Sequence, residues 1–130
     1  MLTRPPERRF LVLFMGFWLP VLLYVTAIFA VSSLPYLKAP LPFPNADKIM
    51  HTGEYLLLGL LLARALRATL RVSRPLFAAM IAIGLVVAVA SADEFFQSFV
   101  PGRSSDLLDL LADTTGGALA QLLYVMAPRS

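Results

Sequence analysis

Long apolar runs separated by short polar connections occur four times along the chain. Phe10 to Val31 is a run of 22 residues without a charge. It is long enough to cross a hydrocarbon core of roughly 30 Å at about 1.5 Å per residue. Its one proline, Pro20, predicts a kink rather than a break. The second run, from about Asp47 to Leu66, is less purely apolar. The third, Pro75 to Phe99, opens with proline at a helix start and stops before Pro101-Gly102. The fourth, Asp106 to Ala127, carries Gly116, Gly117 and Ala120, small residues that let a neighbouring helix approach closely. The pattern predicts an all-α protein: a single domain over residues 1–130 forming a four-helix transmembrane bundle, with helices at about 10–31, 47–66, 75–99 and 106–127. Arg4, Arg8 and Arg9 would suit the basic end of a signal peptide. However, the apolar run exceeds the roughly 7–15 residues of such a peptide, and Ile28-Phe29-Ala30 is a poor cleavage site, so the segment is expected to stay as a helix.

Composition agrees with lipid as the solvent: 58% of residues are hydrophobic, 15% are charged, and the mean hydropathy is +0.76. The net charge of +3 does not point to nucleic acid, because the basic residues flank apolar segments instead of interleaving with exposed aromatics. Cysteine is absent, which excludes a disulfide, a thiolate nucleophile and a cysteine metal site.

The connections give an orientation. Pro35, Pro40, Pro42 and Pro44 predict an extended first connection along the membrane surface. Arg64, Arg67, Arg71 and Arg74 are expected to close the second helix and fill the turn before Pro75. Together with Arg4, Arg8, Arg9 and Arg129 they put eight basic residues on one side, against Lys38, Lys48 and Arg103 on the other. The positive-inside rule then places both termini in the cytoplasm of a multi-pass membrane protein. The Pro-rich connection and Pro101 to Ser105 become the outer loops.

Seven of the eight carboxyls (Asp47, Glu54, Asp93, Glu94, Asp106, Asp109, Asp113) fall at that outer end, a segregation not used in assigning the topology. Glu54, Asp93 and Asp113 sit on the order of 10 Å inside their helix ends. Steps of three and four put Asp47, His51, Glu54 and Tyr55 on one face, Asp106, Asp109, Asp113 and Gly116 or Gly117 on another, and Asp93 with Gln97 on a third. Charged side chains facing lipid cost about 2.5–3.5 kcal/mol at a helix centre, so the three faces are expected to converge. Plainer roles compete. Asn45 or Asp47 suits a cap for helix two, and Ser105 or Asp106 a cap for helix four. His51 can be a bundle histidine hydrogen-bonded to a carboxyl. Lys48 and Arg103 can be interfacial snorkelers, and the cytoplasmic arginines can be anionic-lipid contacts.

The order Asp47-Lys48-x-x-His51-x-x-x-Tyr55-x-x-x-Gly59, then Asp93-Glu94-x-x-Gln97-x-x-Val100-Pro101-Gly102-Arg103-x-x-Asp106-x-x-Asp109-x-x-x-Asp113-x-x-Gly116, resembles the VanZ-like family of small bacterial membrane proteins. The resemblance covers about Asp47 to Gly117; at Asp113 many relatives carry Asn. The family takes its name from a protein associated with resistance to the glycopeptide teicoplanin, so the resemblance implies a setting in the cell envelope and does not fix a reaction.

Three classes of function fit these residues. The first is a binding protein whose outer pocket, formed by Asp47, Lys48, His51, Tyr55, Glu94, Gln97, Arg103, Asp106 and Asp109, receives a lipid headgroup, a lipid-linked cell-wall precursor or a glycopeptide. The second is a membrane hydrolase or transferase dependent on a divalent cation held among Glu54, Asp93, Glu94, Asp109 and Asp113. His51 would be ligand or general base, Arg103 would steady developing charge, and His51, Glu54, Asp93, Asp109 and Asp113 are the catalytic candidates. The third is an ion path, which the confinement of the acids to the outer half disfavours.

Overall fold

Four helices make up most of the computed structural model, whose described residues are 5–35, 42–70 and 74–127. Part of the expected extended run, at Pro40, and the basic residues Arg4, Lys38, Arg71 and Arg129 lie outside them. Helix α1 spans Pro6–Ser32, α2 Ala46–Leu70, α3 Pro75–Gln97 and α4 Leu107–Met126.

These bounds follow the apolar runs, with differences at the basic ends. α1 begins at Pro6, ahead of the uncharged run, and α2 continues one turn past Leu66. Proline suits a first helical turn. Arginine is a good helix former whose stem lets the charge leave the apolar slab without ending the helix. Arg64 and Arg67 therefore belong to α2 and not to the turn before Pro75. Their guanidinium groups lie over aromatic rings, Arg64 at 4.5 Å from the Phe17 centroid and Arg67 at 4.4 Å from that of Tyr124. α3 stops at Gln97, short of Phe99. Pro20 leaves α1 unbroken: the turn before it, Phe14–Trp18, is π-helical, and the Leu19 N–H donates to the Phe14 carbonyl. The wider turn accommodates the donor that proline lacks.

Side-chain hydrogen bonds define the topology. Ser32 at the end of α1 bonds Asp93 near the end of α3, and His51 in the first turns of α2 bonds Asp113 of α4. At the other end the Trp18 Nε1–H donates to Thr69 at 2.8 Å. The helices thus run alternately up and down. Consecutive helices are antiparallel neighbours, as expected in an up-and-down bundle.

Small residues set how closely α2 and α4 approach. A Cβ added at Gly59 would lie 2.6 Å from the Ala120 Cβ and 3.1 Å from the Gly117 backbone, while one at Gly116 would run into the Thr52 carbonyl. Leu58, Leu62, Ala65, Val86, Ala90 and Ile28 complete an apolar core. Outside it, Leu76, Phe77, Met80, Phe95, Leu107 and Met126 are each more than half exposed, a surface suited to lipid. α1, α2 and α3 are long and apolar enough to cross a membrane. α4, at 20 residues, is about 30 Å long but more polar. Asp113, Gly116, Gly117 and Gln121 are turned inward, and its leucines other than Leu110 face outward.

Candidate functional site

A polar side chain inside an apolar bundle must find a partner there, and the last turns of α3 do so with a neighbour that the sequence did not reveal. Asp93, Glu94 and Gln97 are all buried. Gln97 sits one turn after Asp93 and donates from Nε2 to Asp93 Oδ2 at 3.0 Å. The Ser32 hydroxyl donates to the same oxygen at 2.9 Å, and itself accepts from Gln97 at 3.2 Å. Ser32 lies one residue beyond the expected end of the first helix. A single uncharged hydroxyl carried no periodic signal, yet it brings α1 into the site. Four helices converge, where helical phase had supplied three.

On the facing side, His51 Nδ1 lies 2.8 Å from Asp113 Oδ1 and its Nε2 lies 3.9 Å from Asp109. Asp113 is fully buried. Lys48 is no free snorkeler: its ammonium pairs with Asp47 at 2.9 Å, with Asp106 at 3.0 Å and with Asp109. Asp106 is the cap of α4, its Oδ1 accepting from the Leu108 N–H at 2.8 Å. That bond, and next the Lys48 ammonium, hold its carboxyl below the usual carboxylate range. The Asp106 N–H in turn donates to Glu94 Oε2 at 3.0 Å, tying the start of α4 to α3. Asn45, just ahead of α2, takes a left-handed φ of 61° that asparagine tolerates, and its carbonyl accepts from the Lys48 N–H.

Above this network opens a cleft of about 500 Å³. Asp47, Lys48, His51, Glu54, Gln97, Arg103, Asp106 and Asp109 all line it, together with Val31 and Ser32 of α1. Arg103 donates to the carbonyls of Val31 at 3.1 Å and Leu34 at 3.3 Å, and pairs with no carboxylate among the described residues. Tyr55 is placed differently from the rest of its helical set: it is wholly buried in the apolar core. Asp93, Glu94 and Asp113 are buried and are not part of the lining.

Among the residues expected to hold a cation, Glu94 and Asp113 come together with His51, each offering a ligand atom within 4.8 Å of the others. Glu54, Asp93 and Asp109 are not part of that trio. Each of the two carboxyls has one oxygen held by the protein and one, Glu94 Oε1 and Asp113 Oδ2, with no hydrogen-bond partner among the described residues.

Three membrane-length helices, a fourth packed against them and carboxyls gathered at one end of the bundle define a small polytopic membrane protein with a polar site at one end. The chain matches the VanZ/LLP1 family over residues 11–128 and belongs to that family. No curated protein and no solved structure gave a significant match.

Proposed function

We propose that this VanZ/LLP1 protein binds, on the extracytoplasmic side of a bacterial cytoplasmic membrane, the polar headgroup of an envelope molecule. The reading is carried by the cleft, about 500 Å³ in volume, which puts an arginine with no carboxylate partner among the described residues beside a wall of carboxyls. Its size falls within the roughly 300–1,000 Å³ usual for small-molecule sites. Arg103 suits a phosphate or carboxylate, and Glu54 and Asp109 suit hydroxyl or amine donors. A lipid-linked cell-wall precursor, a phospholipid headgroup and a glycopeptide all combine such groups. The two lipids fit better than a glycopeptide, because a lipid tail can lie against the exposed leucines and phenylalanines of the bundle while the headgroup enters the cleft.

The test is the melting temperature of detergent-purified protein titrated with each of the three ligand classes. A ligand at about one hundred times its Kd stabilises the folded state by about 2.7 kcal/mol, which should raise the midpoint by several degrees. Arg103→Ala should abolish the shift, whereas Arg8→Ala, in an exposed position on α1, should leave it unchanged. Midpoints unmoved by every class would remove the proposal.

A further inference from the structure

We infer that His51, Glu94 and Asp113 form a binding site for one divalent transition-metal ion, beneath the floor of the cleft. This does not rest on the headgroup reading, since the site is built from the network under the cleft and is tested with metal alone. Two independent observations carry it. The first is geometric: one imidazole nitrogen and two carboxyl oxygens from three separate helices lie within 4.8 Å of one another. Around a tetrahedral ion with bonds of about 2.0–2.2 Å, ligand atoms stand about 3.4 Å apart, so small side-chain rotations close the set.

The second is the condition of the carboxyls. Glu94 is 4% exposed and Asp113 0%, yet Glu94 Oε1 and Asp113 Oδ2, like Asp93 Oδ1 outside the trio, have no hydrogen-bond partner among the described residues. The protein holds the other oxygen of each: the Asp106 N–H donates to Glu94 Oε2, and His51 meets Asp113 Oδ1. For Glu94, one oxygen fixed from outside the trio and one free is how an outer shell orients a carboxylate toward a metal, while the His51–Asp113 contact lies within the trio and would give way to bonds to the ion. A buried carboxylate without partners is costly unless a cation or a proton neutralises it. Lys48 is engaged with Asp47, Asp106 and Asp109, and Arg103 with two backbone carbonyls. Among the described basic side chains, His51 is the one that meets the pair.

The donor set selects the ion. A calcium ion takes six to eight oxygens and magnesium retains much of its water, whereas a mixed nitrogen and oxygen set suits zinc or manganese. Zinc fits the three-ligand count and leaves a coordination position for water or another ligand.

Protein purified in detergent, stripped with a chelator and dialysed, should regain close to one Zn²⁺ per chain by elemental analysis and melt at a higher temperature. His51→Gln, Glu94→Gln and Asp113→Asn should each lose both effects, while Asp47→Asn, outside the trio, should keep them. Should the variants fail to fold, Co²⁺ added to the stripped wild-type protein reads the site directly, through the visible absorption of a low-coordinate nitrogen and oxygen environment. Uptake well below one ion per chain with no such absorption would overturn the proposal. So would equal loss in Asp47→Asn, which would assign the metal to the surface carboxyls.

Discussion

Ser32 and Ser33 are adjacent serines with different surroundings. Ser32 is buried and reaches across to Asp93 on α3, while exposed Ser33 bonds the Ala30 carbonyl of its own turn. Hydrogen bonds between membrane helices average about 0.6 kcal/mol and reach about 1.7, and a carboxyl acceptor favours the upper end. Ser32→Ala should therefore destabilise the bundle by about 1–2 kcal/mol, and Ser33→Ala by less than about 0.5, read from thermal or denaturant unfolding in detergent. Asp106 sets a dependence on pH. Its carboxyl in the folded protein titrates below its ordinary value, with the Leu108 N–H as the first cause and Lys48 as the second. Its contribution is thus complete above the unfolded-state pKa of about 3.9, and is lost as pH falls through the lower folded value. Asp106→Asn keeps a capping side chain and removes the titration. Melting midpoints taken between about pH 7 and pH 3 should fall less steeply for that variant than for the parent.

At the scale of elements, the contact between α2 and α4 depends on the absence of side chains. Gly59 faces Ala120 and Gly117, whereas Gly53, two turns earlier on α2, has nothing within 4 Å of an added Cβ. Gly59→Ala should cost about 1–3 kcal/mol through overpacking. Gly53→Ala should stabilise by about 0.5–1 kcal/mol, because it removes backbone freedom at an open helical position. Chemical unfolding of the two variants side by side checks both signs. The same contact carries the site: Thr52 donates to the Ala112 carbonyl at 3.2 Å, one residue from His51 and Asp113 respectively. A wedge at Gly59 should therefore also weaken Zn²⁺ uptake.

For the whole molecule, the decisive question is which side of the membrane the cleft faces. The proposed orientation, argued from the charge distribution, has the arginine-rich end inside and the carboxyl end outside. A green fluorescent protein fused after Ser130 should fluoresce, and an alkaline phosphatase reporter placed in the loop at Gly102 should be active. The reverse pattern would turn the cleft to the cytoplasm and exclude an extracytoplasmic ligand. The bundle leaves a broad apolar surface on α1: Phe10, Leu11, Val12 and Met15 are each more than half exposed, and Pro6–Leu13 buries nothing. α1 is thus held mainly through its middle and its end, where Trp18, Tyr24, Ile28 and Ser32 make their contacts.

Much of this was legible in the chain alone, because lipid imposes simple conditions. A span must be about 20 apolar residues, its backbone must bond within itself, and each intramembrane charge must face inward. Those conditions determined the four helices, the convergence of Asp93, Gln97, His51 and Asp113, and the close approach at Gly116 and Gly117. The two-motif pattern pointed to the VanZ/LLP1 family. Periodicity reports the face of one helix and cannot report what stands opposite. Tertiary structure alone decided that Ser32 joins α1 to the site, that Tyr55 turns into the core and that Lys48 is spent on three aspartates. It likewise buried Glu94 and Asp113 beneath the cleft and left Glu54 and Asp109 on its wall. Those outcomes depend on how far each helix is rotated and advanced against its neighbours, and steric fit between small and large side chains sets that across the whole bundle at once.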